Sequence, residues 1–178
     1  FQDRATVDYN LRNIKGDSIY FDDHIQYAAA TRNVQISDTI GNNVICGEFG
    51  EVFKFKDSAI VTQNPVAIKL VDSDSLYIHA DTLLATGPAE NRILTGYYGV
   101  RIYKTNLSGV SDSIHVDQKS GLIQLLRYPI GDRESQLLSA SDMTKRNPVL
   151  WSGKTQMSGD LIHLLSDSTT NAIDSLLI

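Results

Sequence analysis

The residues of this 178-residue chain whose types could do chemistry are four histidines, one cysteine and many aspartates. His24, His79, His115 and His163 stand far apart, and no two share the close spacing of a metal-ligand pair. His115 and His163 alternate with the apolar pairs Ile114/Val116 and Ile162/Leu164, a parity that turns both rings away from a core. Cys46, in the run Val44-Ile45-Cys46, reads as a buried and inert thiol, and a lone cysteine excludes an internal disulfide. Asp22-Asp23, Asp72, Asp74 and Asp81 could supply paired acids for glycoside cleavage, but no dense Asp/Asn/Gly loop of the calcium-binding kind occurs. Gly153-Lys154-Thr155 ends like a phosphate-binding loop, yet Pro148 stands where the earlier glycine belongs and no strand-to-helix context follows. There is no Gly-x-Ser-x-Gly elbow, and Asn106-Leu107-Ser108 is a glycosylation sequon of a common kind. The reading is therefore non-enzymatic, with no catalytic residues, no metal site and no cofactor.

The aspartates recur for another reason. Asp, then Ser or Thr, then an apolar residue appears at Asp17-Ser18-Ile19, Asp38-Thr39-Ile40, Asp57-Ser58-Ala59, Asp74-Ser75-Leu76, Asp81-Thr82-Leu83, Asp112-Ser113-Ile114 and Asp174-Ser175-Leu176, with Asp160-Leu161-Ile162 a near variant. A second apolar residue follows two positions later in most copies, which is the period of a β-strand with one apolar face. The Asp side chain can bond nearby backbone N–H groups and start the strand.

The elements that carry these motifs are short strands spaced about every ten residues. Turn chemistry separates them, as at Gln63-Asn64-Pro65, Thr86-Gly87-Pro88 and Lys119-Ser120-Gly121. Glu51–Phe55 alternates so that Phe53 and Phe55 share one face and lysines the other. The only stretch with helical possibility is Arg133–Met143, where a long loop reads equally well. Segment 45–52 matches segment 94–101, each an apolar residue before Gly-x-aromatic-Gly and a strand, which suggests a repeat several strands long and stacked β-layers. The fold class is all-β.

Net charge is −5 and the longest basic cluster is Lys145-Arg146, so there is no basic stripe for nucleic acid. No run approaches the roughly 18 apolar residues of a membrane-spanning helix. The chain starts at Phe1 and ends on Leu176-Leu177-Ile178, and it reads as one domain, 1–178, cut from a longer protein.

Three phrases carry a resemblance: Ser75 to Leu83 (SLYIHADTL), Leu94 to Val100 (LTGYYGV) and Trp151 to Ile162 (WSGKTQMSGDLI). With their order and recurrence, the chain from about Asp17 onward resembles the OstA-like family. This is the β-jellyroll superfamily of lipopolysaccharide transport to which the bridge protein LptA and the amino-terminal domain of LptD belong, and the likeness is to its Bacteroidetes members. The resemblance implies a folded-over antiparallel sheet with an open apolar groove. That groove would shelter the lipid A acyl chains of lipopolysaccharide in the periplasm, in outer-membrane biogenesis and with a possible outer-membrane association. It also implies end-to-end strand pairing with other β-jellyroll modules and no catalytic residues. Segment 131–147 fits the pattern least and reads as a loop insertion.

The interior residues so expected are Ile19, Phe21, Phe53, Phe55, Leu76, Ile78, Ile114, Val116, Ile162 and Leu164. Plain core packing would produce the same pattern. Affinity for an anionic lipid would come from apolar burial, at about 25 cal/mol per Å², with Lys54, Lys56, Arg101 and Lys104 either flanking a groove mouth or lying on exposed strand faces. Two other readings stay open on the sequence: a structural or adhesive β-solenoid with a filled core and no cargo, and an enzyme on a β-helix.

Overall fold

The computed structural model describes residues 5–9, 11–38, 43–69, 74–127, 146–166 and 173–178. Among these, sixteen strands join in one antiparallel sheet, as the alternating apolar pattern and the scarcity of helix-period segments require. In chain order they are β1 (Ala5–Tyr9), β2 (Arg12–Gly16), β3 (Ser18–Asp22), β4 (Tyr27–Asp38), β5 (Asn43–Phe53), β6 (Ser58–Thr62), β7 (Val66–Lys69), β8 (Leu76–His79), β9 (Thr82–Thr86), β10 (Ile93–Lys104), β11 (Leu107–Asp117), β12 (Leu122–Leu126), β13 (Val149–Ser152), β14 (Thr155–Ser158), β15 (Leu161–Ser166) and β16 (Ile173–Leu177).

The sheet is creased along one line, and among the described residues the strands from β2 to β11 turn the same corner. Long strands cross the crease whole, whereas β2/β3, β6/β7 and β8/β9 are bent runs interrupted there for one to three residues. One arm contains β3, residues 27–31 of β4, 49–53 of β5, β6, β9, 93–97 of β10, 113–117 of β11, then β12, β15 and β16. The other contains β1, β2, residues 34–38 of β4, 43–47 of β5, β7, β8, 100–104 of β10, 107–111 of β11, β13 and β14.

The crease is built from bulges. Two left-handed residues on one strand oppose a single residue on the next: Arg32-Asn33 (φ 58°, 51°) against Glu48, and Tyr98-Gly99 (φ 61°, 59°) against Asp112. Gln63-Asn64 (φ 62°, 60°) has the same conformation. A backbone bond recurs at three corners: Asp17 N–H donates to Arg32 C=O (3.0 Å), Glu48 to Gln63 (3.1 Å) and Asp81 to Tyr98 (2.9 Å). This is the structural repeat, two bent strands per unit.

It differs from the expected one. In β5 the chain passes from the second arm to the first, and in β10 from the first to the second, so the Gly-x-aromatic-Gly phrases at 47–50 and 96–99 are not equivalent. The motif aspartates also act differently from a strand-starting cap. Asp17 and Asp81 are corner residues, and the Asp17 carboxylate accepts from Asn33 Nδ2 (3.1 and 3.2 Å) in the next layer. Asp112, on the β11 side of its corner, pairs with Arg146. Asp74 accepts from the Thr105 N–H (3.3 Å) and hydroxyl (2.9 Å).

β12 and β13 pair with the two halves of β11. The expected helix or loop at Arg133–Met143 and most of the expected 131–147 insertion lie outside the described residues. The inner faces of both arms form one apolar core running from Ile14 and Ala28 through Val61, Leu83 and Ile102 to Leu150 and Leu164.

Candidate functional site

The interior has two zones. Beside the crease it is filled. The first-arm row Ala30–Gly50–Val61–Leu83–Gly96–Ile114–Leu125–Ile162 is held by direct cross-strand pairing. A methyl group added to Gly50 would lie 2.9 Å from Val34 Cγ1 and 3.3 Å from Ile36 Cδ1, both side chains of the opposite arm. The arms touch there, and glycine is what lets them.

Toward the open edge the rows change. Ala59 and Ala85 on one arm face Ile36, Ile45, Ala67 and Ile78 on the other, with Leu94 and Val116 beside them. Small residues leave space, and the result is a narrow apolar cleft with a free volume of about 60 Å³. Its residues Lys69, Leu76 and Val116 also line a second, smaller hollow together with Ile123, Ile173 and Lys104, so the two lie side by side along the mouth.

The lips of the mouth are polar. Each strand's inward parity ends there in a charged or amide side chain: Arg12 two residues before Ile14, Asp38 two after Ile36, Asn43 two before Ile45, Lys69 two after Ala67, and Arg92 two before Leu94. Four of them, with Asp57, tie the arms together. Arg92 grips Asp38 with Nη2 to Oδ1 at 2.9 Å and Nε to Oδ2 at 3.2 Å, and reaches Asp57 Oδ1 at 3.3 Å. Arg12 donates from Nε to Asp38 Oδ1 and from Nη2 to the Asp57 carbonyl, both at 3.3 Å, and Nη2 also forms an ion pair with Asp57 Oδ1 at 3.3 Å. Arg92 also donates to Gly87 C=O, and Asn43 Nδ2 donates to Gln118 Oε1 at 3.2 Å.

Both arginines are 5% exposed, so each partner matters: a buried cation left alone costs several kcal/mol, about 3–5. Burial and then the neighbouring Arg92 charge press the Arg12 guanidinium below its ordinary value. Lys69 faces the cleft, and burial, followed by the Lys104 charge, lowers its ammonium as well.

Of the expected interior residues, Leu76, Ile78, Ile114, Ile162 and Leu164 are buried in the core, and Ile19 and Val116 pack against it. Leu76, Ile78 and Val116 line the cleft, whereas Ile114 and Ile162 belong to the filled zone. Phe21 has inward parity, paired with buried Ala28, but lies on an edge strand and is 42% exposed. Phe53 and Phe55 do not face the interior. The single corner residue Glu48 flips parity along β5, so Val52 follows Ile45 inward. The Phe53 ring instead packs outside on Tyr27 (centroids 5.2 Å apart). Phe55 is in a 3-10 turn, Lys54–Lys56, at 82% exposure.

Of the basic residues expected near a mouth, Lys104 lines it and Arg101 and Lys56 are exposed elsewhere. His163, on the outer face, contacts the Gln124 amide at 3.0 Å. Cys46 is half-buried on the outward parity of β5. Among the described residues no three His, Cys, Asp or Glu side chains gather as a metal-binding group.

No protein-family model matches this chain, and no curated protein matches its sequence. Its fold does match a solved structure, LptH of Pseudomonas aeruginosa, the LptA-homologous periplasmic component of the conserved lipopolysaccharide transport device. The TM-score is 0.57 at 12% identity, covering 65% of this chain and 82% of that one. The chain therefore has an LptA-like β-jellyroll fold.

Proposed function

We propose that this chain is a non-catalytic periplasmic module that holds the acyl chains of lipopolysaccharide in the cleft between its arms and passes them along the mouth. The observation that carries the reading is the apolar cleft at the open edge, with a smaller hollow beside it, in a fold shared with a lipopolysaccharide-transport component. Its walls are aliphatic and match acyl chains; at the rim Arg12 and Arg92 are buried against Asp38 and Asp57, and Lys69 and Lys104 are the cations beside the opening. A structural module with a wholly filled core would need no such cleft. Binding by apolar burial without deep charge pairing suits a carrier that must also release its cargo.

The two ends of the stack support a further part of the reading, end-to-end assembly with like modules. Phe21 on β3 at one end and Leu176 on β16 at the other have inward parity and are 42% and 37% exposed. A neighbouring strand would cover each.

The test is photo-crosslinking in cells with a reactive residue at Val116, in the cleft, and at His115, its outward neighbour. An adduct with lipopolysaccharide at position 116 and none at 115 is expected. Absence of an adduct at 116, in full-length protein at normal abundance, would favour the cargo-free structural module.

A further inference from the structure

The outer face of the second arm carries a row of aromatic side chains that the core does not use. Cross-strand pairing aligns Tyr77 with Tyr103, Tyr103 with Ser108, Ser108 with Trp151, and Trp151 with Gln156. Directly paired residues share a face, so the three rings stand on one surface. They are 42%, 60% and 37% exposed. The Tyr77 and Tyr103 rings meet at 6.4 Å with a 46° tilt. Tyr103 and Trp151 are two strands apart, about 9–10 Å, and the residue between them is Ser108, which has no ring. A shallow hollow results, walled by Tyr103 and Trp151 and edged by Ser108, Asn106 and Lys104. The indole is held in place by its Nε1–H bond to Gln156 Oε1 (3.0 Å).

This chemistry fits a sugar better than a protein. A pyranose has an apolar C–H face and a hydroxyl edge; flat rings favour the first, and the serine, amides and ammonium can bond the second. Beyond Tyr77 the row continues apolar through Ile68 and Val44, but between and beside Tyr103 and Trp151 the cross-strand neighbours are Ser108 and Gln156, a polar interruption that a protein-docking patch would lack. Arg101, on the same face two residues before Tyr103, adds positive charge, which suits an anionic saccharide. Lys104, paired with Asp74 at 4.0 Å, borders both the outer hollow and the small hollow beside the cleft.

We propose that the Tyr77–Tyr103–Trp151 row is a saccharide-binding platform. The sugar portion of an amphiphile whose acyl chains lie in the cleft would cross the lip at Lys104 and lie on these rings. The second statement rests on the lipid-cleft reading; the platform itself does not.

Trp151 is the only tryptophan in the chain, so its emission reports on this site alone. The full chain is titrated with three probes: lipopolysaccharide, the oligosaccharide released from it by mild acid, and lipid A without oligosaccharide. Retention of fluorescently labelled lipid is read separately. Lipopolysaccharide and free oligosaccharide are expected to shift the Trp151 emission, the latter at higher concentration, and lipid A to leave it unchanged. Tyr103→Ala should weaken the oligosaccharide response by roughly three- to tenfold, Tyr103→Phe should restore it, and neither should change lipid A retention. If lipopolysaccharide is retained while both saccharide probes leave the emission unchanged, the platform is overturned and the cleft reading stands. If no lipid is retained, the cleft reading falls, and the oligosaccharide alone decides the platform: a shift upholds it, and silence rejects it in favour of a protein-facing surface.

Discussion

Tyr27 donates its hydroxyl proton to Glu51 Oε1 at 2.6 Å on the outer face of the first arm. Burial first, and then the bond to this carboxylate and its charge, push the phenol from 10.0 up to about 12. A phenol raised in the folded state stabilises the fold fully below its unfolded value near 10, and that contribution is lost as pH rises through about 12. A tyrosinate absorbance titration should therefore show one late-titrating tyrosine. Glu51→Gln, which keeps an acceptor but removes the charge, should bring that step closer to 10, and an unchanged step would mean that burial alone sets it. The same scale shows what spacing can and cannot reveal. The inward charges Arg12, Asp38, Lys69 and Arg92 were not among the expected site residues, although each continues an apolar alternation by one step at a strand end. Their mutual pairing leaves no trace in spacing, because Arg92 and Asp38 are 54 positions apart and meet only when the sheet folds over.

At the level of the strand, the crease is the device that makes two faces of one sheet into an interior. Its left-handed residues are where backbone conformation, and not packing, sets the cost. Gly99, at φ 59°, has room for a methyl only 3.1 Å from Asp81 Oδ1. Gly99→Ala should destabilise the protein by about 1–2 kcal/mol in denaturant unfolding. Asn64→Gly, at φ 60° where asparagine is already tolerated, should change stability by less than about 0.5 kcal/mol. Equal effects at the two sites would remove the left-handed explanation of the corners. The strands themselves were legible: alternation located Leu76/Ile78, Ile114/Val116 and Ile162/Leu164 on inward parity. The corners were not, because two-residue bulges preserve parity, as along β4, and one-residue corners reverse it, as in β5. Phe53 was misplaced for that reason alone. The cleft was equally hidden, since Ala59, Ala67 and Ala85 become a cavity wall only when facing one another across the fold.

For the molecule as a whole, the mouth poses the mechanical question. Arg12 and Asp38 on one lip are tied to Asp57 and Arg92 on the other, and Asn43 to Gln118 beside them, so the walls of the cleft are held together at its open edge. Near the crease the arms already touch at Gly50, so parting the lips is the motion left for widening the cleft. Buried ion pairs of this kind add little net stability against apolar substitutes but resist being broken singly, which suits a contact that must hold one spacing and then yield as a unit. If loading requires the lips to part, joining them should stop it. With Cys46 replaced by Ser, cysteines at positions 43 and 118 can be bridged by a short bifunctional thiol reagent. Bridged protein should lose at least tenfold in the rate of lipid uptake, while protein carrying the same two cysteines, each capped singly, should load normally. Uptake at the normal rate through a bridged mouth would mean that cargo slides in from the ends of the stack, past Phe21 or Leu176, and that the lips serve only to hold the arms in register.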